Sequence, residues 1–284
     1  MTIKSIFLHS EGFARFRAYD DFPWLFERSD ATVELCRRNN LLDREKMEIR
    51  IPEMAPMEAL RAYHGEAYLR VLQQANVGEF KDSMLALGLG TMECPVYPGC
   101  MEYHRLVVGS TLLGVEAMNQ DGIRLAFGPT GGMHHAGPDF ASGFCYLNDA
   151  VMGILRFLEK GLRVLYLDID AHHGDMVQDA FYEEDQVLKI SFHESPKTLF
   201  PHRTGFVKET GNGRGQGFNV NVPMAAGTGD EVFTWAFQRI VPPLAEAFQP
   251  DVVMAILGTD TLSSDPMSNL RLTTQGYCEV IQGI

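Results

Sequence analysis

The chain has 284 residues, 45% of them hydrophobic and 21% charged, a composition without class-breaking bias that supplies one large core or two modest ones. A formal net charge of −13 argues against a non-specific hold on nucleic acid or on an anionic membrane, whereas a basic tail on a protein substrate would be attracted. Cys36, Cys94, Cys100, Cys145 and Cys278 are odd in number and widely spaced, with no Cys-x-x-Cys pair, so neither a disulfide framework nor a cysteine zinc site is suggested.

In chain order, short apolar runs predict strands at residues 3–8, 123–127, 162–167, 187–192, 218–222 and 252–257. Helix-length patterns lie between several of them, at residues 103–118, 148–159 and 231–248. Such alternation predicts an open, mostly parallel sheet with helices on both faces, undivided by any linker or repeat. The run Leu162-Arg-Val-Leu-Tyr-Leu167 has almost no polar break and reads as a strand buried on both faces. The glycine-rich stretch from Gly211 to Gly217 precedes a strand instead of joining a strand to a helix, so it reads as a flexible turn and not as a nucleotide loop. The first nine residues are too short an apolar run for a signal peptide, and no stretch approaches the ~20 residues of a membrane span. With unpaired cysteines, the expectation is a cytoplasmic protein.

The ends of the predicted strands carry the polar residues: His9, then His134 and His135, then the run Asp168-Ile-Asp-Ala-His-His-Gly-Asp175, then His193 and Asp260. Ligands of open parallel sheets bind outside the carboxyl ends of the strands, so residues scattered in sequence are expected to share one pocket. Three carboxylates and two imidazoles at the edge of a buried strand need one another or a cation. Catalytic zinc takes three His, Asp or Glu ligands, and Asp170, His172 and Asp260 supply that set. Alternation along an extended strand end would put positions 168, 170 and 172 on one side. His134 and His135, each facing a carboxylate such as Asp168 or Asp175, would form His-Asp dyads suited to proton transfer. The bland alternative is a pair of histidines satisfied in a polar core.

These residues carry a resemblance. Gly131-Gly-Met-His-His135, Ser142-Gly-Phe-Cys-Tyr-Leu-Asn-Asp-Ala150, Asp168-Ile-Asp-Ala-His-His-Gly-Asp175 and Leu257-Gly-Thr-Asp-Thr-Leu-Ser-Ser-Asp-Pro266 are similar, in order and spacing, to the zinc-dependent histone deacetylase family and its bacterial acetoin-utilisation relatives. The likeness begins weakly at Phe26-Glu-Arg-Ser29 and His64-Gly-Glu-Ala-Tyr68. It implies a three-layer α/β/α domain of the arginase/deacetylase fold. It also implies zinc or iron(II) on Asp170, His172 and Asp260, with His134 and His135 paired to Asp168 and Asp175, and His135 as the principal proton-transfer residue. Phe144 and Phe200 match aromatic tunnel walls, Gly143 and Met267 further wall positions, and Glu93 an acidic rim residue. Asp168, Asp170, His172, Ser191 and Phe192 resemble a monovalent-cation site, usually potassium. The implied reaction is metal-assisted hydrolysis of the acetyl amide of acetyl-lysine in a protein or peptide, with no nucleic-acid or membrane partner. Cys145 is then structural, since a metal mechanism needs no thiolate.

The family supplies an oxyanion-stabilising tyrosine from a glycine-rich loop after one more strand, and this sequence reaches Ile284 before either. Tyr277 reads as part of a helix start and is given no such role. The expectation is a single domain over residues 1–284, C-terminally incomplete and lacking the family's last strands. Acetylpolyamine hydrolysis and a catalytically impaired acyl-lysine binding module are the competing readings. An arginase-like binuclear site is disfavoured because His173-Gly174 stands where a further carboxylate is needed.

Overall fold

The computed structural model describes residues 5–16, 28–42, 47–120 and 122–284. Ile3 and Lys4 of the first predicted strand, and Phe26 and Glu27 of the weak stretch of resemblance, lie outside them. The chain divides into two compact units, residues 1–156 and 157–284. Among the described residues no helix is long and apolar enough to cross a membrane, and none of the five cysteines is in a disulfide.

The first unit contains strands β1 (Ser5–Leu8), β2 (Met47–Arg50) and β3 (Leu125–Phe127), and helices α1 (Arg28–Arg38), α2 (Met57–Leu60), α3 (Glu66–Ala75) and α4 (Cys100–Gln120). Helix α5 (Asp149–Leu158) runs across its boundary. The strands form a parallel sheet in the order β2-β1-β3, with Ser5 opposite both Met47 and Leu125. Strand β2 escaped the sequence reading because it is four residues long and alternates Glu48 and Arg50 with its two apolar residues. On α3, Tyr68, Leu69, Leu72 and Ala75 recur at helical spacing and bury one face. That face joins a core with Tyr103, Val107 and Val108 of α4 and with Tyr146 and Leu147. The first turn of α4 leaves backbone donors without helical acceptors, and Asn76 Oδ1 accepts two of them, from Met101 (2.9 Å) and Glu102 (3.1 Å).

The second unit holds β4 (Val164–Asp168), α6 (Asp175–Ala180), β5 (Val187–Glu194), β6 (Asn219–Met224), α7 (Asp230–Phe248), β7 (Val252–Ile256) and α8 (Thr274–Gln282). Its four strands are all parallel, in the order β6-β5-β4-β7. Every residue of β4 and β5 is buried, as the unbroken apolar run at 162–167 required. Helix α7 lays Phe233, Phe237 and Val241 on the sheet, where Phe233 and Phe237 meet the Phe192 ring at 5.4 and 5.7 Å. Asp230 at the start of α7 accepts from the Thr273 backbone N–H (2.7 Å) and hydroxyl (2.6 Å), tying that helix to the cap of α8.

Lys189, within β5, is a cation in this apolar layer, and its Nζ donates to the Phe181 carbonyl at 2.5 Å. Burial lowers its ammonium from the ordinary 10.5 to about 8. Between these values the folded chain releases the proton first, so the unfolded state binds more protons and stability rises with pH. Urea unfolding should show the wild type gaining on Lys189→Met between pH 7.5 and 10, by up to about 3 kcal/mol. A constant difference across that range would mean that the ammonium is solvated.

Candidate active site

Strand β4 lies between β5 and β7 although β7 comes last in the chain, so the direction of crossover reverses at β4. At such a point the loops leaving neighbouring parallel strands diverge and open a crevice at their carboxyl ends. Asp168 ends β4, in register with Ile256 of β7 and Ser191 of β5. Asp170 and His172 follow it, and Asp260 follows β7.

These three residues converge, with one ligand atom from each lying within 4.8 Å of the others. His172 Nδ1 is 2.7 Å from Asp260 Oδ2 and 3.3 Å from Asp170 Oδ1. Burial pulls the imidazole down, but the hydrogen bonds to Asp170 and Asp260 outweigh it and raise it to about 10. Burial, and after it the Asp170 charge, pushes the Asp260 carboxyl up. The three groups thus hold positive charge between two negative ones, which is the electrostatic demand that a cation meets. Two carboxylate oxygens and one imidazole nitrogen form a donor set that fits zinc or iron(II).

The ligands do not sit on an extended strand end, as alternation had suggested. Strand β4 stops at Asp168, and residues 170–172 bend. Successive backbone N–H groups there donate to carboxylates: Asp170 to Asp168 Oδ1 (3.0 Å), Ala171 to Asp260 Oδ1 (2.9 Å) and His172 to Asp170 Oδ1 (2.8 Å). Hydrogen bonding to the anions, rather than strand pleat, sets the direction of the side chains. Asp168 is fully buried and also accepts from the Tyr166 hydroxyl at 2.6 Å.

The turn that carries Asp260 is held from its far side. A Cβ on Gly258 would lie 2.3 Å from Asp170 Oδ2 and 2.6 Å from Asp170 Cα, so only glycine lets the two ligand loops approach. The Tyr277 hydroxyl donates to the Leu257 carbonyl at 2.9 Å. Burial, then the charges of Asp170 and Asp260, pushes this phenol up and keeps it a donor. The sequence reading gave Tyr277 no role, and its position at the root of the Asp260 turn is not encoded in any local motif.

In the first unit, His134 and His135 are buried with their Nε2 atoms 3.0 Å apart. Two N–H donors cannot face each other, so one Nε2 of the pair presents a lone pair. The loop before them is turned by the buried Asp149, which accepts from Met133 N (2.7 Å), Gly132 N and the Thr111 hydroxyl (2.6 Å). Burial still pushes that carboxyl up. Gly143 has φ +51, and a Cβ there would lie 2.5 Å from His135 Cδ2. Its N–H donates to Glu93 Oε2 at 3.3 Å. Phe144 follows with φ +66, its carbonyl 3.3 Å from His104 Nε2. His134, His135, Glu93, Gly143 and Phe144 therefore form one connected patch.

The remaining residues lie in the second unit. The Phe200 ring is 6.4 Å from that of His172. Asp175 opens α6 and accepts from Met176 N at 3.0 Å. The Ser191 hydroxyl lies 2.9 Å from His193 Nδ1 and 3.4 Å from His173 Nδ1, and the Phe192 side chain belongs to the core beneath α7. Met267 is 39% exposed.

A model of the histone deacetylase domain matches residues 23–284. The chain belongs to the histone deacetylase family. It is 40% identical over 234 residues to histone deacetylase 8 of Xenopus tropicalis, covering 82% of this chain and 63% of that one. To histone deacetylase 1 of Homo sapiens it is 37% identical over 240 residues, covering 84% and 49%. Among solved structures, that of an HDAC homolog from Aquifex aeolicus superposes with a TM-score of 0.91 at 33% identity, over 99% of this chain and 75% of that one. The deacetylase fold is therefore that of this chain, which spans only about half to two-thirds of the two named sequence relatives.

Substituting Gly258 by Ala should weaken zinc binding about tenfold or more, because the added methyl forces Asp170 away from Asp260. Competition with a chelating dye, on protein whose far-UV circular dichroism matches the wild type, would show it. Unchanged affinity would mean that the two loops can separate without disturbing the ligands.

Proposed function

We propose that this chain is a metal-dependent protein lysine deacetylase, hydrolysing the acetyl amide of acetyl-lysine and releasing acetate. The observation that carries this reading is the convergence of Asp170, His172 and Asp260 at the switch point of a parallel sheet, within a chain of the histone deacetylase family. Those three residues would hold zinc, with iron(II) as the alternative. When bound, such an ion supplies Lewis acidity toward a carbonyl and toward water.

The chain's own residues account for the other tasks. His135 takes a proton and returns it to the departing amine, and His134, its Nε2 partner at 3.0 Å, shares that proton. Asp168 and Asp175 are the carboxylates proposed to fix the tautomers of the pair. Phe144 and Phe200 each carry a flat apolar ring of the kind that suits a lysine alkyl chain, and they are proposed as substrate-binding residues together with Gly143 and Met267. Glu93 is exposed, and its carboxylate already accepts one backbone N–H, from Gly143, which is the chemistry needed to hold a peptide backbone. Potassium is proposed at the main chain of Asp168, Asp170, His172 and Phe192 with the Ser191 hydroxyl. An acetylated protein or peptide is the proposed partner.

Acetate release from an acetyl-lysine peptide should require zinc loading and vanish in a chelated control. Asp170→Ala should lose metal and activity together. His135→Ala should keep stoichiometric metal and lose about 100-fold or more in turnover. Full activity in both variants would end this reading.

A further inference from the structure

We propose that Glu194 is a positioning residue of the metal centre, locking the loop that carries Asp260 to the bend that carries Asp170 and His172. The proposal rests on the reading that these three residues hold a divalent cation.

Glu194 is the last residue of β5 and is only 1% exposed. A carboxylate so placed needs hydrogen-bond donors. It has two from one residue: Asn269 N donates to Oε2 at 2.7 Å, and Asn269 Nδ2 donates to Oε1 at 2.8 Å. Asn269 itself stands at the surface and reaches inward.

The bonds around this pair close a ring. Ser268, next to Asn269, donates its hydroxyl to the Asp260 carbonyl at 2.5 Å. The Asp260 carboxylate accepts from Ala171 N at 2.9 Å, and the Ala171 carbonyl accepts from Glu194 N at 2.9 Å. Glu194, Asn269, Ser268, Asp260 and Ala171 thus form a closed circuit that contains one metal ligand and the residue between the other two. Apart from the peptide link between Ser268 and Asn269, the other links in it are single hydrogen bonds, while the Glu194–Asn269 link is double and fixes orientation as well as distance. Backbone bonds hold the ends of the 265–271 loop, to Thr228 from Arg271 and to Leu262 from Asp265, so opening the link removes the side-chain tie that sets where Ser268 and the Asp260 carbonyl sit relative to Ala171. A spread of ligand atoms by a few tenths of an ångström is enough to weaken a metal site.

The test uses Glu194→Gln, Asn269→Asp and the exchanged pair E194Q/N269D. Asn269→Asp sets two carboxylates face to face, whereas Glu194→Gln is answered by a turn-over of the Asn269 amide, whose Oδ1 then accepts from the new N–H2, so this variant serves as the neutral control. The exchange restores both bonds, because the glutamine oxygen accepts from the backbone N–H of residue 269 and its amide donates to the new carboxylate. Zinc affinity is read by competition with a chelating dye, and ligand geometry by the visible spectrum of the cobalt(II)-loaded protein.

Asn269→Asp should bind zinc about tenfold or more weakly and alter the cobalt spectrum, while Glu194→Gln and the exchange should stay within about threefold of wild type. An Asn269→Asp variant that binds like wild type, or a folded exchange no tighter than that single, would overturn the proposal while leaving the metal site intact. If Asn269→Asp does not fold, a folded exchange within about threefold of wild type supports the proposal and one weaker by about tenfold or more overturns it. A wild-type protein that takes up no zinc would instead overturn the metal reading and this inference with it.

Discussion

Two carboxylates and an imidazole brought within 4.8 Å at the rim of a buried sheet is the arrangement around which the second unit is organised. Like charges at that distance repel by roughly 3 to 4 kcal/mol in surroundings intermediate between water and dry protein. The chain meets this repulsion with donors: the N–H groups of Asp170, Ala171 and His172 each point at a carboxylate, and the imidazole is held charged between two. These devices reduce the repulsion without removing it, and a divalent cation is the kind of group that would offset the remainder. The strands serve the same end. With β4 between β5 and β7, both ligand-bearing loops leave the same edge of the sheet from adjacent strands.

In the first unit it is two imidazoles that share a buried site. The histidine pair is buried, and its rings satisfy each other through Nε2. Around them the backbone takes left-handed turns at Gly143 and Phe144, the second unusual for a bulky residue. That strain is held by hydrogen bonds from residues far away in sequence, with Glu93 on one side of the turn and His104 on the other.

Much of this was legible before any coordinates. The apolar run at 162–167 showed a doubly buried strand, and the density of carboxylates and imidazoles after it pointed to groups that must converge on one another, because burial without compensation is untenable for so many ionisable groups. What the sequence hid was how the ligands are aimed. Period-two alternation gives the right residues at 170 and 172 for the wrong reason, since the backbone bends there and hydrogen bonds to anions take over. The supports of Asp260 were hidden as well. Tyr277 acts on a carbonyl 20 residues away and Glu194 on a loop 75 residues away, and neither spacing has a local signature. Glu194 did carry one usable signal, a carboxylate ending a strand whose every residue is buried. The logic already applied to Asp168 would have singled it out.

His172 and Asp260 lie 88 residues apart in the chain and meet only because β7 pairs with β4. That pairing skips over β5 and β6, so it is among the least local contacts of the unit, and such contacts form late and slowly. Before it forms, the segment around Asp170 and His172 offers an incomplete set of ligands. Capture of an ion by all three residues would thereby wait for the docking of β7, and a chain lacking that pairing would gain little from metal in its surroundings. Ion uptake would then serve as a clock for the docking of β7, and a chain arrested before that event would release its metal as readily as an unstructured peptide.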